Sequence, residues 1–267
     1  MSAERIDYSW IPAATILLGE HGSRAHGTHS PESDRDLTGI CAEPRRFVTG
    51  LQRFDVLRYN SAGEGIKSGA EDMDTSVLGL RKWAALAQAG NPNALLPLFM
   101  PEYEILTEAG QILIENRSTF LSSYAITKHF GYMGSQRHAL LGESKTLKPR
   151  EDLVEAHGYD SKYAGSMLIA GMRCLSLVRD QKLTLPLGED DRDLIRRVRA
   201  GTMSLSEVLA IADNLADRIR HLEGKSKLPE FVDSDAVDLV LDRVYAAAWS
   251  DSAGAAEREA HPAFMAA

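Results

Sequence analysis

Two aspartates one residue apart, Asp34 and Asp36 in the run Ser33-Asp34-Arg35-Asp36-Leu37, constrain this chain more than any other feature. Along a strand, side chains i and i+2 share a face, so the two carboxylates project together. Held side by side they repel each other, and a cation removes that cost. An all-oxygen set of hard ligands suits magnesium best. Upstream, Ile16-Leu17-Leu18 reads as a buried strand. Gly22-Ser23 follows it, at a strand-to-helix turn. Glycine lets the backbone come close to a ligand, and exposed N–H groups at such a turn favour phosphate. A phosphate cradle beside metal-holding carboxylates is the equipment for phosphoryl or nucleotidyl transfer. The plainer reading makes Asp34 an Asx turn, Asp36 a solvated strand residue and Gly22 and Gly27 turn formers. It leaves the ordered set of features unconnected.

At 267 residues the chain has room for one large or two modest domains. Its net charge is −8, with lysine and arginine spread along the sequence. That argues against gripping long nucleic acid by non-specific electrostatics. A local basic groove for a short RNA end remains compatible, and a small-molecule or protein acceptor fits equally. Cys41 and Cys174 are the only cysteines. They give no disulfide framework, fit a reducing cytosol and leave no cysteine-built zinc site. No apolar run is long enough to span a bilayer, and the charged start MSAERIDYSW does not resemble a signal peptide. The expected location is therefore cytoplasmic, with no membrane partner.

Taken in order, the chain alternates strands and helices before turning wholly helical. Residues 1–12 read as a lead-in and 14–19 as the first strand. The phosphate turn and a short helix occupy 21–27, a loop 29–33 and the D-x-D strand 35–42. Phe54 to Tyr59 alternates weakly, as a strand does, and the Gly/Ser-rich run from Asn60 to Ala70 reads as a mobile loop. Glu71, Asp72 and Asp74 then precede a strand-like piece. Leu78 to Gln88 has apolar positions at helical spacing and stops at Gly90-Asn91-Pro92. Trp83 and Phe99 read as core. Beyond Phe120 the period is helical. Tyr124–Leu141 is a helix interrupted near Gly131 and Gly134, 147–156 is a link, and Gly158–Leu183 is a helix with an apolar stripe. Ser204 and Glu207 suggest a capping box. The tail is Ala-rich and patternless from Ser250. The expected organisation is α+β: a small mixed-sheet core over 1–116, a helical domain over 117–249 and a mobile tail over 250–267.

The order of parts—strand, Gly-Ser turn, short helix, loop, strand bearing S-D-x-D-L—resembles the polymerase-β-type nucleotidyltransferase superfamily. The run Gly79-Leu80-Arg81-Lys82-Trp83 through Gly90-Asn91-Pro92-Asn93 is similar to a branch of predicted nucleotidyltransferases, some of them associated with RNA repair. The resemblance implies that Asp34 and Asp36 hold two magnesium ions, with manganese as an alternative. It implies a third carboxylate on a neighbouring strand that shares the metal and acts as general base. Asp74 stands at the family's distance before the L-R-K-W helix; Asp72 is the alternative, and a solvated loop or helix N-cap is the plainer reading of this patch. Gly22, Ser23 and Arg24 would meet the phosphates of an NTP such as ATP. The helix opening Gly158-Tyr159-Asp160-x-Lys162 also resembles the branch, although Ser166-Met167 stands where the family continues with histidine. A second, helical domain that closes over the nucleotide implies roles for Lys162 at the triphosphate and for Tyr159 stacking on the base. Lys162 as a surface lysine and Arg24 as a surface ion pair are the alternatives. His21, His26 and His29, clustered around the turn, read as solvated or substrate-contacting rather than metal ligands.

Three functions fit these residues. One is transfer of NMP to an RNA or tRNA end. Another is the same chemistry on a small molecule or protein side chain. The last is a non-catalytic nucleotide-binding module.

Overall fold

In the computed structural model, which describes residues 7–31, 33–60, 72–251 and 255–264, the apolar run at the start becomes the middle of a sheet. Helix α1 (Ile11–Ala14) leads into β1 (Thr15–Glu20), where Ile16, Leu17 and Leu18 are buried. There follow α2 (Gly22–Ala25), β2 (Arg35–Cys41), α3 (Arg45–Thr49), β3 (Val56–Asn60) and β4 (Met73–Gly79). Helices α4 (Leu80–Gln88) and α5 (Pro92–Leu95), strand β5 (Ile105–Leu106) and helix α6 (Glu108–Glu115) complete this part. The strands form one mixed sheet in the order β3-β4-β2-β1-β5. β2 and β4 run parallel, and the other pairs are antiparallel. The architecture is α+β.

Alternation along the strands sorts their residues onto two faces. Ile40 and Leu17 pack with Leu80, Trp83 and Phe120 toward the helices. Leu18, Leu37 and Val77 pack on the other face with Ile11, Phe47 and Phe54. Trp83 is fully buried and donates its indole N–H to the Ala94 carbonyl (2.8 Å).

The rest of the chain is α7 (Ser123–Leu140), α8 (Glu151–His157), α9 (Ser161–Asp180), α10 (Glu189–Arg199), α11 (Leu205–Glu223), α12 (Ser234–Ser250) and α13 (Ala255–Glu259). α9 is buried almost all round, from Ala164 to Val178, because α7, α10 and α11 all pack on it. Such a helix must be apolar or small on every face. At Gly171 an added Cβ would lie 3.0 Å from Met133 Sδ of α7, so the absent side chain sets that approach. One hydrophobic cluster runs from Ile16 to Tyr245, through residue 116 without a break. The last long helix is fixed to the sheet by a buried acid. Glu43 accepts from the Leu80 N–H (3.0 Å) and the Tyr245 hydroxyl (2.8 Å), and its carbonyl accepts from Trp249 Nε1 (2.9 Å). No helix among the described residues is long and apolar enough to cross a membrane.

Three local expectations change. α7 runs straight through Gly131 and Gly134, since an interior glycine costs a helix about 1 kcal/mol without breaking it. The link over 147–156 contains the start of α8. The tail is anchored over 255–264: Ala263 and Phe264 are buried under the sheet, and Arg258 donates to the Ala13 carbonyl (2.9 Å). Its few apolar residues form no periodic stripe, so only the sheet's underside reveals what they fill. The Gly/Ser-rich loop after Asn60 and Glu71 lie outside the described residues. The capping box forms: Ser204 Oγ accepts from Glu207 N (3.3 Å), and Glu207 Oε2 accepts from Ser204 N (2.7 Å).

Candidate active site

The D-x-D strand delivers its acids as alternation requires. Asp34 lies just ahead of β2 and Asp36 within it, while Arg35 between them turns away to Glu20 (3.1 Å) and Glu104 (2.7 Å). Parallel pairing sets Asp36 directly beside Asp74 of β4. One carboxylate oxygen from each of Asp34, Asp36 and Asp74 lies within 4.8 Å of the others. A slip of one residue in that register would turn Asp74 to the opposite face. Asp72, the alternative, is not in this cluster; its carbonyl accepts from the Arg35 N–H (3.0 Å) as the pairing begins. Burial pushes the Asp36 carboxyl up, the charges of Asp34 and Asp74 push it further, and Lys162 opposes them.

The Gly-Ser turn is built against the same carboxylate. Gly22 has φ +59°, a region that favours glycine, and an added Cβ would lie 2.5 Å from Asp36 Oδ2. Backbone angle and close approach thus both require glycine here. The His21 N–H donates to the Asp36 carbonyl (2.7 Å) and locks turn to strand. Ser23 lines the cavity beyond. Arg24 does not face that cavity. It reaches back to the carbonyls of Asp34 (3.4 Å) and Ser33 (3.3 Å) and to Glu20 (3.9 Å), bracing the acidic loop from behind. Its place is therefore structural, not at a phosphate.

The Gly-Tyr-Asp-x-Lys opening of α9 divides likewise. Gly158, with φ +78°, ends α8. Tyr159 is 3% exposed, packed in the helical core, and donates its hydroxyl toward the carbonyls of Val198 (3.2 Å) and Met203 (3.0 Å). That burial leaves no ring face for a base, which corrects the stacking expectation. Asp160, fully buried, caps α9 through the N–H groups of Lys162 and Tyr163 (both 3.0 Å) and pairs with Arg150 (2.9 Å). Ser161 and Lys162 line the cavity, and Lys162 is close enough to lower the Asp36 carboxyl.

His21 and His26 stay neutral. Burial, then the charge of Arg173, brings His21 down to about 4 and His26 to about 3. His26 Nδ1 donates to the Gly22 carbonyl (2.5 Å), holding the turn. His29 is exposed, and none of the three belongs to the acidic cluster. Arg173 itself escapes a reading by sequence pattern, because it sits inside the apolar stripe of α9; an arginine amid buried positions is the signal that could have found it.

Two cavities meet at the acids and share His21, Asp36 and Asn93. One, about 990 Å³, runs from Gly22 and Ser23 along α9 and is walled by Lys162, Arg173 and Arg199. The other, about 930 Å³, lies over β3 and β4, with Asp74, Ser76, Arg58 and Asn91 in its lining. A mixed sheet carrying three converging carboxylates beside a glycine-serine turn is the arrangement that the resemblance to the polymerase-β superfamily implies. Residues 6–156 match the family described as RlaP, RNA repair pathway DNA polymerase beta family, and the chain belongs to it. It is also 26% identical over 126 residues to an uncharacterized 38.9 kDa protein from the nrdC-mobD intergenic region of Enterobacteria phage T4. That similarity covers 46% of this chain and 37% of the phage protein.

Proposed function

We propose that this chain moves a nucleoside monophosphate from an NTP to an acceptor hydroxyl and releases pyrophosphate. The convergence of Asp34, Asp36 and Asp74 carries the reading. Three carboxylates this close, one with its pKa raised by burial and then by the other two, fit divalent cations, and an all-oxygen set fits magnesium or manganese. Such ions, when bound, neutralise charge developing on the phosphoryl oxygens. Gly22 and Ser23 present backbone and hydroxyl to the β- and γ-phosphates, and Lys162 adds a cation opposite Asp36. Asp74 takes the proton from the acceptor hydroxyl. The freed oxygen attacks the α-phosphorus in line, the bond to the bridging oxygen breaks, and pyrophosphate leaves.

An RNA or tRNA end is the favoured acceptor. In the second cavity the β4–β3 register sets Asn60 beside Asp74 and Arg58 beside Ser76. A terminal nucleotide could present its hydroxyl to Asp74 and its own phosphate to Arg58. The family description points the same way. The two free, buried cysteines suit a reducing, cytoplasmic setting. The test is incubation with each labelled NTP, magnesium and total RNA, or no acceptor. Label in RNA is expected. Label on protein or a small molecule would favour those acceptors, and no label with any NTP would refute transfer.

A further inference from the structure

The helical half holds positive charge that no carboxylate among the described residues pairs with. Arg173 of α9 is 3% exposed, yet it lines the larger cavity. One guanidinium nitrogen donates to the Pro92 carbonyl, while Nε has no hydrogen-bond partner. Among the described residues no carboxylate pairs with it. Burying a guanidinium without a counter-charge is costly, and buried arginines are ordinarily paired. Arg199 of α10 repeats the pattern: its Nε is buried, unpartnered, and on the same wall. It lies across Gly165 of α9, where an added Cβ would come 3.1 Å from that nitrogen. The other arginines of this cavity are engaged, Arg150 with Asp160 (2.9 Å) and Arg196 with Asp193 (2.7 Å). His26 feels both free arginines and stays neutral, so it supplies no countering charge. Lys162, Ser166, Ala170 and Arg173 all face the cavity from one stripe of α9. The stripe extends about 16 Å at 1.5 Å per residue, room for an extended anion.

We infer that Arg173 and Arg199 form a polyphosphate receptor that works without a metal ion, the ligand supplying the counter-charge the fold withholds. Arginine's planar fork suits phosphate oxygens, which accept two parallel hydrogen bonds from it. The inference rests on the nucleotidyl-transfer reading only for the ligand's identity, the triphosphate of an NTP or the pyrophosphate released. The acidic cluster then need not be metal-loaded before the phosphate chain is held. The free protein carries the electrostatic cost, and ligand removes it.

The test is thermal unfolding of the full chain in EDTA, titrated with sodium tripolyphosphate at constant ionic strength. A saturable rise in Tm is expected for the wild type. Arg173→Met should unfold at a higher temperature than wild type without ligand, and should need at least tenfold more tripolyphosphate for the same shift. Arg173→Lys keeps the charge without the fork and should fall between, so a poorly folding methionine variant does not block the test. Absence of any shift in the wild type in EDTA would overturn the inference, as would an unchanged response in both Arg173 variants. Asp36→Asn separates the two readings: it should lose transfer and keep the metal-free shift. A protein that transfers nucleotide but shows no metal-free binding refutes the receptor alone. One that binds tripolyphosphate but transfers nothing refutes the transfer reading alone.

Discussion

The two walls of the larger cavity carry opposite charges. On the sheet side, Asp34 and Asp36 line it with Asp74 close behind, and burial with mutual repulsion pushes Asp36 up. On the helical side, Arg173 is buried with no acid paired to it among the described residues, and burial brings it down to about 10. Two buried acids elsewhere are satisfied within the fold: Asp160 has Arg150 and two backbone N–H groups, and Glu43 has Tyr245 and Leu80. The contrast separates charges that build the fold from charges held ready for a ligand. Stability is given up where binding needs it.

Asp36→Asn tests the sheet side most severely. It removes a charge without removing volume, so transfer should fall about a thousandfold or more. Stability of the metal-free protein should be retained or rise, since a repelled carboxylate is gone. A variant with near-normal transfer would contradict the assignment.

Next in size is Gly22→Ala. The added Cβ meets Asp36 and φ is positive, so a loss of roughly 1–3 kcal/mol is expected in urea unfolding, with transfer largely lost. Unchanged stability would mean that the turn is free to move from the acid.

The pH profile compares the two sides directly. His21, His26 and His129 are depressed to about 4, 3 and 3. A depressed histidine is neutral in the fold but gains its proton when unfolded, so its contribution is present above about 6.5 and lost as pH falls toward 4 to 3. Asp36 runs oppositely: with a raised pKa it favours the fold below the ordinary carboxylate range and loses that contribution as pH rises through its folded value. Denaturation midpoints of the metal-free chain should therefore fall steadily below pH 6.5. A flat profile from pH 7 to 5 would argue against buried neutral histidines.

The smallest effects sharpen the reading of the α9 opening. Tyr159→Phe should cost about 1 kcal/mol through its lost hydroxyl bonds and leave the KM for NTP unchanged. Lys162→Met should raise that KM several-fold with little change in stability, because its side chain is exposed at the cavity mouth. The reverse pattern would restore Tyr159 as a substrate contact.

Much of the site is legible in the chain because it is local. The spacing of Asp34 and Asp36 puts both on one face, and Gly22 precedes a turn whose glycine is needed twice. Asp74 was reachable only by resemblance, since the register between β2 and β4 is set across a long excursion. Tyr159 and Arg24 looked functional because their neighbours are; their own partners, Val198, Met203, Ser33 and Asp34, are contacts that spacing does not display.

By itself the sequence determined the strand–turn–strand unit, the paired carboxylates and the helical period of the second half, all consequences of backbone geometry over a few residues. Only the tertiary structure decided which distant acid joins the pair, which side chains of α9 face the cavity, and that Arg173 lies buried without an acid. Those outcomes depend on how far a charge sits from water and from other charges, and folding alone sets these distances.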